Sequence, residues 1–205
     1  MGIAGASGAV GIEMLNTMEL RNFPFNDLTL FAHPTEAGET VEFKGKTYTL
    51  QAIEDGCFDD LDIALFSAGG GISREWAPKA VEAGCIVVDN SSEFRMDENT
   101  PLVVPEVNGH AVARHNGIIA NPNCTTIIMN VPVFPLHKMA GVKRAVVSTY
   151  QAASGAGLLA MQELEQQAKD FAAGEPLTQD IFGRQYLWNL FSHNSPIYAV
   201  RRPLP

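Results

Sequence analysis

Residues 2–20, GIAGASGAVGIEMLNTMEL, decide how the rest of the chain is read. Ile3 and Ala4 form the stub of a strand, glycines follow at positions 5, 8 and 11, and an apolar-periodic helix runs over GIEMLNTMEL. Glycines between a strand and a helix permit a tight turn and close backbone approach to a pyrophosphate, and the helix N-terminus favours the anion. Gly5, Gly8 and Gly11 are spaced G-x-x-G-x-x-G rather than G-x-G-x-x-G, a motif whose weight comes from its strand–loop–helix context. Ser7 offers a hydroxyl donor to the same anion. The plainer alternative is a turn that only packs helix on strand.

Outward from this unit, short apolar runs alternate with helical patterns. A strand LTLFA (28–32) is followed by a hairpin VEFKGKTYTL (41–50) turned at Gly45, then a strand LDIALFSAGG (61–70). A helix REWAPKAVEAG (74–84) ended by Gly84, a strand CIVVDNSS (85–92), a loop VVPEVN (103–108) and a strand GIIANPN (117–123) complete the series. The pattern predicts a Rossmann-type, doubly wound α/β domain over residues 1–123, with a parallel sheet covered on both faces. The texture changes beyond it. TTIIMNVPVFPLHKM reads as a helix interrupted or kinked by Pro132 and Pro135, and VKRAVVSTYQAAS as a strand. SGAGLLAMQELEQQAKDFAAG reads as a helix capped by Ser154, stopped at Gly174, with Leu158, Met161, Leu164 and Ala168 along one face. Residues 124–195 are expected to form an incomplete α+β catalytic and dimerisation domain, and 196–205 a divergent tail.

Composition narrows the partners. Fourteen basic against 23 acidic residues give a net charge of −9 with no Lys/Arg cluster, so neither nucleic acid nor an anionic membrane is an expected partner. No apolar run reaches the length of a membrane span, and the basic start of a signal peptide is absent. Cys57, Cys85 and Cys124 are odd in number and widely spaced, which points to neither disulfides nor a zinc site but to a reducing compartment, the cytoplasm.

One cysteine stands apart. Cys124 lies in IIANPNCTTIIMN (118–130), where a strand end becomes a helix. The first turn of a helix has unpaired N–H groups and a positive dipole end, a setting that favours a nucleophilic thiolate. Asparagine and threonine flanks are unlike a core, whereas Cys85 and Cys57 read as buried hydrophobes. A thiolate beside a nicotinamide points to acyl chemistry through a thioester.

Taken together, GASGAVG, ALFSAGG, VVDNSSEFRM, PLVVPEVN, IANPNCTT, VVSTYQAASGAG and NLFSHN resemble the aspartate-semialdehyde dehydrogenase family, in its order and over residues 2 to about 195. The resemblance implies an NADP- and phosphate-dependent interconversion of aspartate 4-semialdehyde and 4-aspartyl phosphate, serving lysine, threonine and methionine biosynthesis. It makes Cys124 the acyl-thioester nucleophile, Gln151 the residue that orients substrate, and Arg95 the binder of phosphate. Asn90 is a further phosphate or cofactor contact. Gly5, Ser7, Gly8, Ala9, Val10 and Gly11 match the cofactor loop, and Ser154 with Gly155 a second cofactor contact. Homo-oligomers, dimers or tetramers, are implied for the complete protein, and a plastid location if the source is a photosynthetic eukaryote.

Two departures from the family stand out. After the second strand the family commonly has S-x-R-S-A-G-K, where this chain has H-P-T-E-A-G-E: Thr35 stands at the arginine position, Glu36 at the following serine and Glu39 at the lysine. His33 and Thr35 remain as candidate phosphate partners, but two acidic residues oppose a 2'-phosphate, so NAD becomes the alternative cofactor. The resemblance also stops after SHNSPI, before the family's proton-transferring histidine and substrate-binding arginine. His33, His110, His115 and His137 read as ordinary surface or helix-end histidines and His193 as structural. An incomplete chain with impaired activity is therefore expected. A non-catalytic dinucleotide-binding or dimerising remnant, and an enzyme like N-acetyl-gamma-glutamyl-phosphate reductase, are the alternatives.

Overall fold

The computed structural model describes residues 1–192, so His193 and the tail at 196–205 lie outside the described residues. Seven short strands, β1 (Gly2–Ala4), β2 (Thr29–Phe31), β3 (Thr40–Phe43), β4 (Lys46–Gln51), β5 (Ile63–Phe66), β6 (Ile86–Asp89) and β7 (Ile118–Ala120), form one sheet in the order β3-β4-β2-β1-β5-β6-β7. All neighbours are parallel except the β3–β4 hairpin. Helix α1 (Ala9–Leu20) joins β1 to β2, and α2 (Gly70–Glu82) joins β5 to β6. The chain builds outward from β1 in one direction and then returns through β5 to build in the other. Loops at the carboxyl ends of β1 and β5 therefore diverge and leave a crevice, the place where doubly wound sheets bind ligands.

Three residues suffice for β1 because it is central and buried on both sides. Register sorts the side chains: Ile3 lies beside Leu30 and Leu65 on one face, while Ala4 lies beside Phe31 and Phe66 on the other. Leu15 and Met18 of α1 pack with Ile3, Leu30 and Leu50; Ala77 and Ala80 of α2 pack with Ala4, Phe66 and Val87. The expectation of full cover on both faces needs correction. On the α1 side, Ile63, Leu65 and Val88 line, with Met14, Val10 and Phe23, an open apolar hollow of about 480 Å³. A single helix is about 10 Å wide with its side chains and cannot shield six parallel strands.

Local chemistry explains the remaining agreements and differences. Lys44 and Gly45 both have positive φ (49° and 72°), which makes the expected hairpin turn one whose twist suits its strands. The segment expected as a loop at 103–108 instead carries a short helix α3 (Pro105–Asn108): Pro105 presets its first turn, and Asn108 Oδ1 accepts from Val104 N at 2.8 Å. α2 begins a turn earlier than predicted because Gly70 and Gly71 carry no apolar pattern. Helix α4 (Cys124–Ala140) runs uninterrupted through Pro132 and Pro135. The N–H groups missing there would have bonded the carbonyls of Ile128 and Val131, both exposed residues whose carbonyls water can serve. The strand expected at 142–154 is not formed. Val146, Val147 and Tyr150 are exposed, and an extended segment without a neighbouring strand has no ladder to join.

The chain divides into two compact units, Met1–Ala152 and a second from Ala153 onward. In the second, a 3₁₀ turn (Ala153–Ala156) precedes helix α5 (Leu158–Ala173). Ser154 is not the cap: Gly157, at φ 97°, is, because the 3₁₀ turn closes first and only glycine takes that backbone angle readily. Gly174 ends the helix in the left-handed conformation, as expected. The buried stripe also differs, being Ala160, Glu163 and Gln167 rather than the more apolar face of Leu158, Met161, Leu164 and Ala168. Polar contacts decide this. Glu163 accepts from the amides of Ile181 and Phe182, and Gln167 bonds the backbone of Thr178, Arg184, Tyr186 and Leu187. Asp170 accepts from the amide and hydroxyl of Thr178. Its carboxyl is held below the usual range by the Gln166 side chain first and then by Thr178. The helix thereby templates a coil that has no hydrophobic period of its own.

Candidate active site at the carboxyl edge of the sheet

All residues with predicted chemistry in the first unit, Gln151 excepted, sit in the loops or first helical turns that follow the carboxyl ends of strands. After β1, Gly5 adopts φ 86°, and a Cβ there would stand 2.6 Å from the Ser67 carbonyl oxygen. A Cβ on Gly11 would stand 2.1 Å from Gly5 O and 2.7 Å from Ala6 Cα. These two glycines let the loop fold tightly against β5 and against α1. Gly8 caps α1 with no side-chain bond, so the N–H groups of Ala9, Val10 and Gly11 have no carbonyl one turn back. The loop therefore has the cradle that a pyrophosphate needs: backbone donors, a helix dipole and no side chain in the way. Gly11→Ala tests it. Alanine's helix propensity favours it by about 1 kcal/mol, but a backbone-to-backbone overlap costs about 1–3 kcal/mol. Net destabilisation in urea melts and weaker dinucleotide binding are expected.

Ser7 does not offer a free hydroxyl, since Oγ donates to Glu36 Oε2 at 2.8 Å. Thr35 is similarly engaged, with Oγ1 2.8 Å from His33 Nδ1 and its amide donating to the same nitrogen.

A polar network closes the other side of the crevice. Strands β6 and β7 end VVDN and IIAN, and the pairing of Asp89 with Ala120 places Asn90 beside Asn121. Asn121 Nδ2 donates to Asn90 Oδ1 at 2.7 Å, and Asn90 Nδ2 donates to Ser67 Oγ at 3.4 Å. Arg95 crosses both loop ends, its Nε donating to Asn121 O and its Nη2 to Asn90 O, each at 2.9 Å. Burial pulls the Arg95 guanidinium below its ordinary range, while the charges of Asp89 and Cys124 act the other way. Beneath lies Asp89, fully buried, whose carboxylate accepts from Ser73 Oγ, Ser91 N and Ser91 Oγ and so ties α2 to the end of β6. Asn121 and Asp89 were not among the residues singled out from sequence. The matching -Asn endings of the two strands were the signal available for Asn121; Asp89 shows only through burial.

Cys124 is the first residue of α4, exposed, and follows Asn123, whose Oδ1 caps the helix by accepting from Thr125 N at 3.0 Å. Its Sγ lies 3.8 Å from Gln151 Oε1, which brings together the two residues expected to share the chemistry. The other thiols differ. Cys85 is buried and its thiol is pushed up to about 11 by desolvation; Cys57 is half-buried and shifted up by the same cause. Ser154 and Gly155 lie in the exposed 3₁₀ turn of the second unit. An exposed thiol near a side-chain amide, a bridging guanidinium and a glycine-rich loop at a helix N-terminus are groups of the kind that thiol-mediated acyl transfer coupled to a dinucleotide requires.

Residues 1–115 match the model of the semialdehyde dehydrogenase NAD binding domain, and 133–196 that of the semialdehyde dehydrogenase dimerisation domain. The aspartate-semialdehyde dehydrogenase of Synechocystis is 50% identical over 197 residues, covering 96% of this chain and 58% of that protein. A Vibrio cholerae aspartate semialdehyde dehydrogenase II, solved in complex with ASA, superposes with a TM-score of 0.87 at 45% identity, over 92% of this chain and 56% of that one. The Candida albicans enzyme, solved with NADP, gives a TM-score of 0.56 at 26% identity over 69% and 47%. The chain thus spans little more than half the length of the relatives it matches. A glycine cradle, a thiol at the head of α4 and two consecutive domain matches lead to one assignment: the chain belongs to the semialdehyde dehydrogenase family.

Proposed function

We propose that this chain carries the dinucleotide-binding and thiol-bearing part of an aspartate-semialdehyde dehydrogenase, an acylating oxidoreductase acting on aspartate 4-semialdehyde and inorganic phosphate. The observation that supports it most directly is the exposed Cys124 at the first turn of α4 with Gln151 Oε1 at 3.8 Å. As thiolate, Cys124 Sγ bonds to the aldehyde carbon while the carbonyl π pair moves to oxygen, giving the alkoxide of a hemithioacetal; hydride then leaves that carbon as the oxygen re-forms the C=O bond, and a thioester remains. The glycine cradle of Gly5, Gly8 and Gly11 would hold a nicotinamide dinucleotide, which would supply the hydride acceptor for this chemistry. Gln151 orients the acyl group. An oxygen of inorganic phosphate then attacks the thioester carbon and expels the Cys124 thiolate, yielding 4-aspartyl phosphate. Arg95 keeps Nη1 unbonded among the described residues and is the group assigned to the phosphate. Residues 124–195 are assigned to the catalytic and dimerisation domain, 196–205 to a divergent tail and the protein to the cytoplasm; the match to a dimerisation domain supports association of copies.

The test is cofactor reduction on addition of aspartate semialdehyde, with and without phosphate. Turnover that requires phosphate is the expected result. Dinucleotide binding without turnover would favour a non-catalytic, dimerising remnant. Preference for N-acetylglutamate semialdehyde would move the assignment to the related glutamyl-phosphate reductases.

A further inference from the structure

We infer that Glu36 is a specificity-determining residue that makes this chain select NAD over NADP; the inference rests on the dinucleotide-binding reading of the glycine cradle. Glu36 follows β2, the strand next to β1, and its carboxylate reaches back to the loop between β1 and α1. Oε2 accepts from Ser7 Oγ at 2.8 Å and from His33 N at 3.3 Å. The carboxylate is therefore held from two directions, against the cradle and at the end of the second strand. In a doubly wound sheet this is where the adenosine ribose of a dinucleotide lies when its pyrophosphate sits on the first helix.

Chemistry separates the two cofactors there. A ribose 2'-hydroxyl donates a proton that a carboxylate oxygen accepts, and Oε1 bonds nothing among the described residues. A 2'-phosphate brings about two negative charges against that carboxylate and needs cations. None is supplied: among the described residues Glu36 has no ion-pair partner, since the two ion pairs are Arg74–Glu93 and Lys79–Asp55. The remaining groups do not compensate. Thr35 Oγ1 and the His33 ring are bonded to each other, and Glu39, three residues on, is exposed and adds a second anion. Glu36 also closes the 3₁₀ turn at Pro34–Glu36 by its bond to His33 N. A purely structural role of that kind would change the affinities for both cofactors alike.

The experiment is a fluorescence titration of the full chain with NADH and with NADPH at one ionic strength, repeated on Glu36→Gln and Glu36→Ser. NADH is expected to bind at least tenfold more tightly to the natural chain. Both substitutions are expected to move the NADH/NADPH affinity ratio at least tenfold toward NADPH, and the ratio within one variant is insensitive to partial loss of folded protein. NADPH binding as tightly as NADH or tighter, or a ratio unmoved by both substitutions, would overturn the role of Glu36 while leaving the cradle intact. Binding of neither nucleotide would overturn the dinucleotide reading itself, and this inference with it.

Discussion

With Cys124 replaced by serine, phosphate-dependent turnover is expected to fall roughly 10⁴-fold or more, as when a covalent catalyst loses its nucleophile, while dinucleotide affinity stays unchanged. Serine keeps the size of the side chain and the Asn123 cap, so α4 should still start where it does. What is lost is the sulfur nucleophile, replaced by a hydroxyl, which is intrinsically far weaker in attack on a carbonyl carbon. Neither other cysteine can substitute. Cys85 is 1% exposed and its thiol is pushed up to about 11, and Cys57 packs beside the core cluster of Phe58 and Trp76. The companion measurement is alkylation by iodoacetamide at neutral pH, read by peptide mass. One rapid modification at Cys124 in the folded protein, and all three in urea, is the expected pattern. Turnover surviving Cys124→Ser, or Cys57 labelling as fast as Cys124, would remove Cys124 from the centre of the mechanism.

Gln167→Leu is expected to be the most damaging conservative-volume change in the second unit. Gln167 is fully buried, and its amide serves four backbone groups: Nε2 donates to the carbonyls of Thr178 and Arg184, and Oε1 accepts from the amides of Tyr186 and Leu187. Leucine fills similar space and adds apolar surface, a gain of about 1–2 kcal/mol. It leaves up to four polar groups unpaired, each costing about 1–3 kcal/mol where water does not reach. The loss should win, with a net cost of about 3 kcal/mol and the loss of amide protection at 181–187. Hydrogen exchange reads this residue by residue. Retained protection at Tyr186 and Leu187 would show that aromatic packing of Phe182, Tyr186 and Phe191 holds the coil without the amide.

These two residues mark opposite ends of what could be read from the chain. Cys124 was legible because its neighbours, Asn123 and the threonines, announce a helix start next to a strand end, and local chemistry alone makes such a cysteine unusual. Gln167 was not, because a glutamine on a helix carries no sign of burial. The apolar residues Leu158, Met161, Leu164 and Ala168 indicated another face, and only the folded coil, with its carbonyls and amides, made a polar stripe the inward one. The same division runs through the site. Glycines 5, 8 and 11 disclosed a cradle, since their absent side chains matter to the nearest backbone. Asp89, Asn121 and the bridging of both loop ends by Arg95 depend on which strands become neighbours, and adjacency of β6 to β7 is not written in either segment.

Sequence by itself determined the alternation of strands and helices, the glycine turn, the hairpin at Lys44–Gly45, the left-handed stop at Gly174 and the place of Cys124 where a strand end becomes a helix. All of these rest on interactions between residues close along the chain. Tertiary structure alone decided which face of α5 is buried, that residues 142–150 form no strand, that half of one sheet face stays open beside α1, and that the Ser7 hydroxyl is bonded to Glu36. Each of those depends on what a distant segment brings to the contact, a donor, a ladder or a covering helix, and a local pattern holds no information about the partner it will meet.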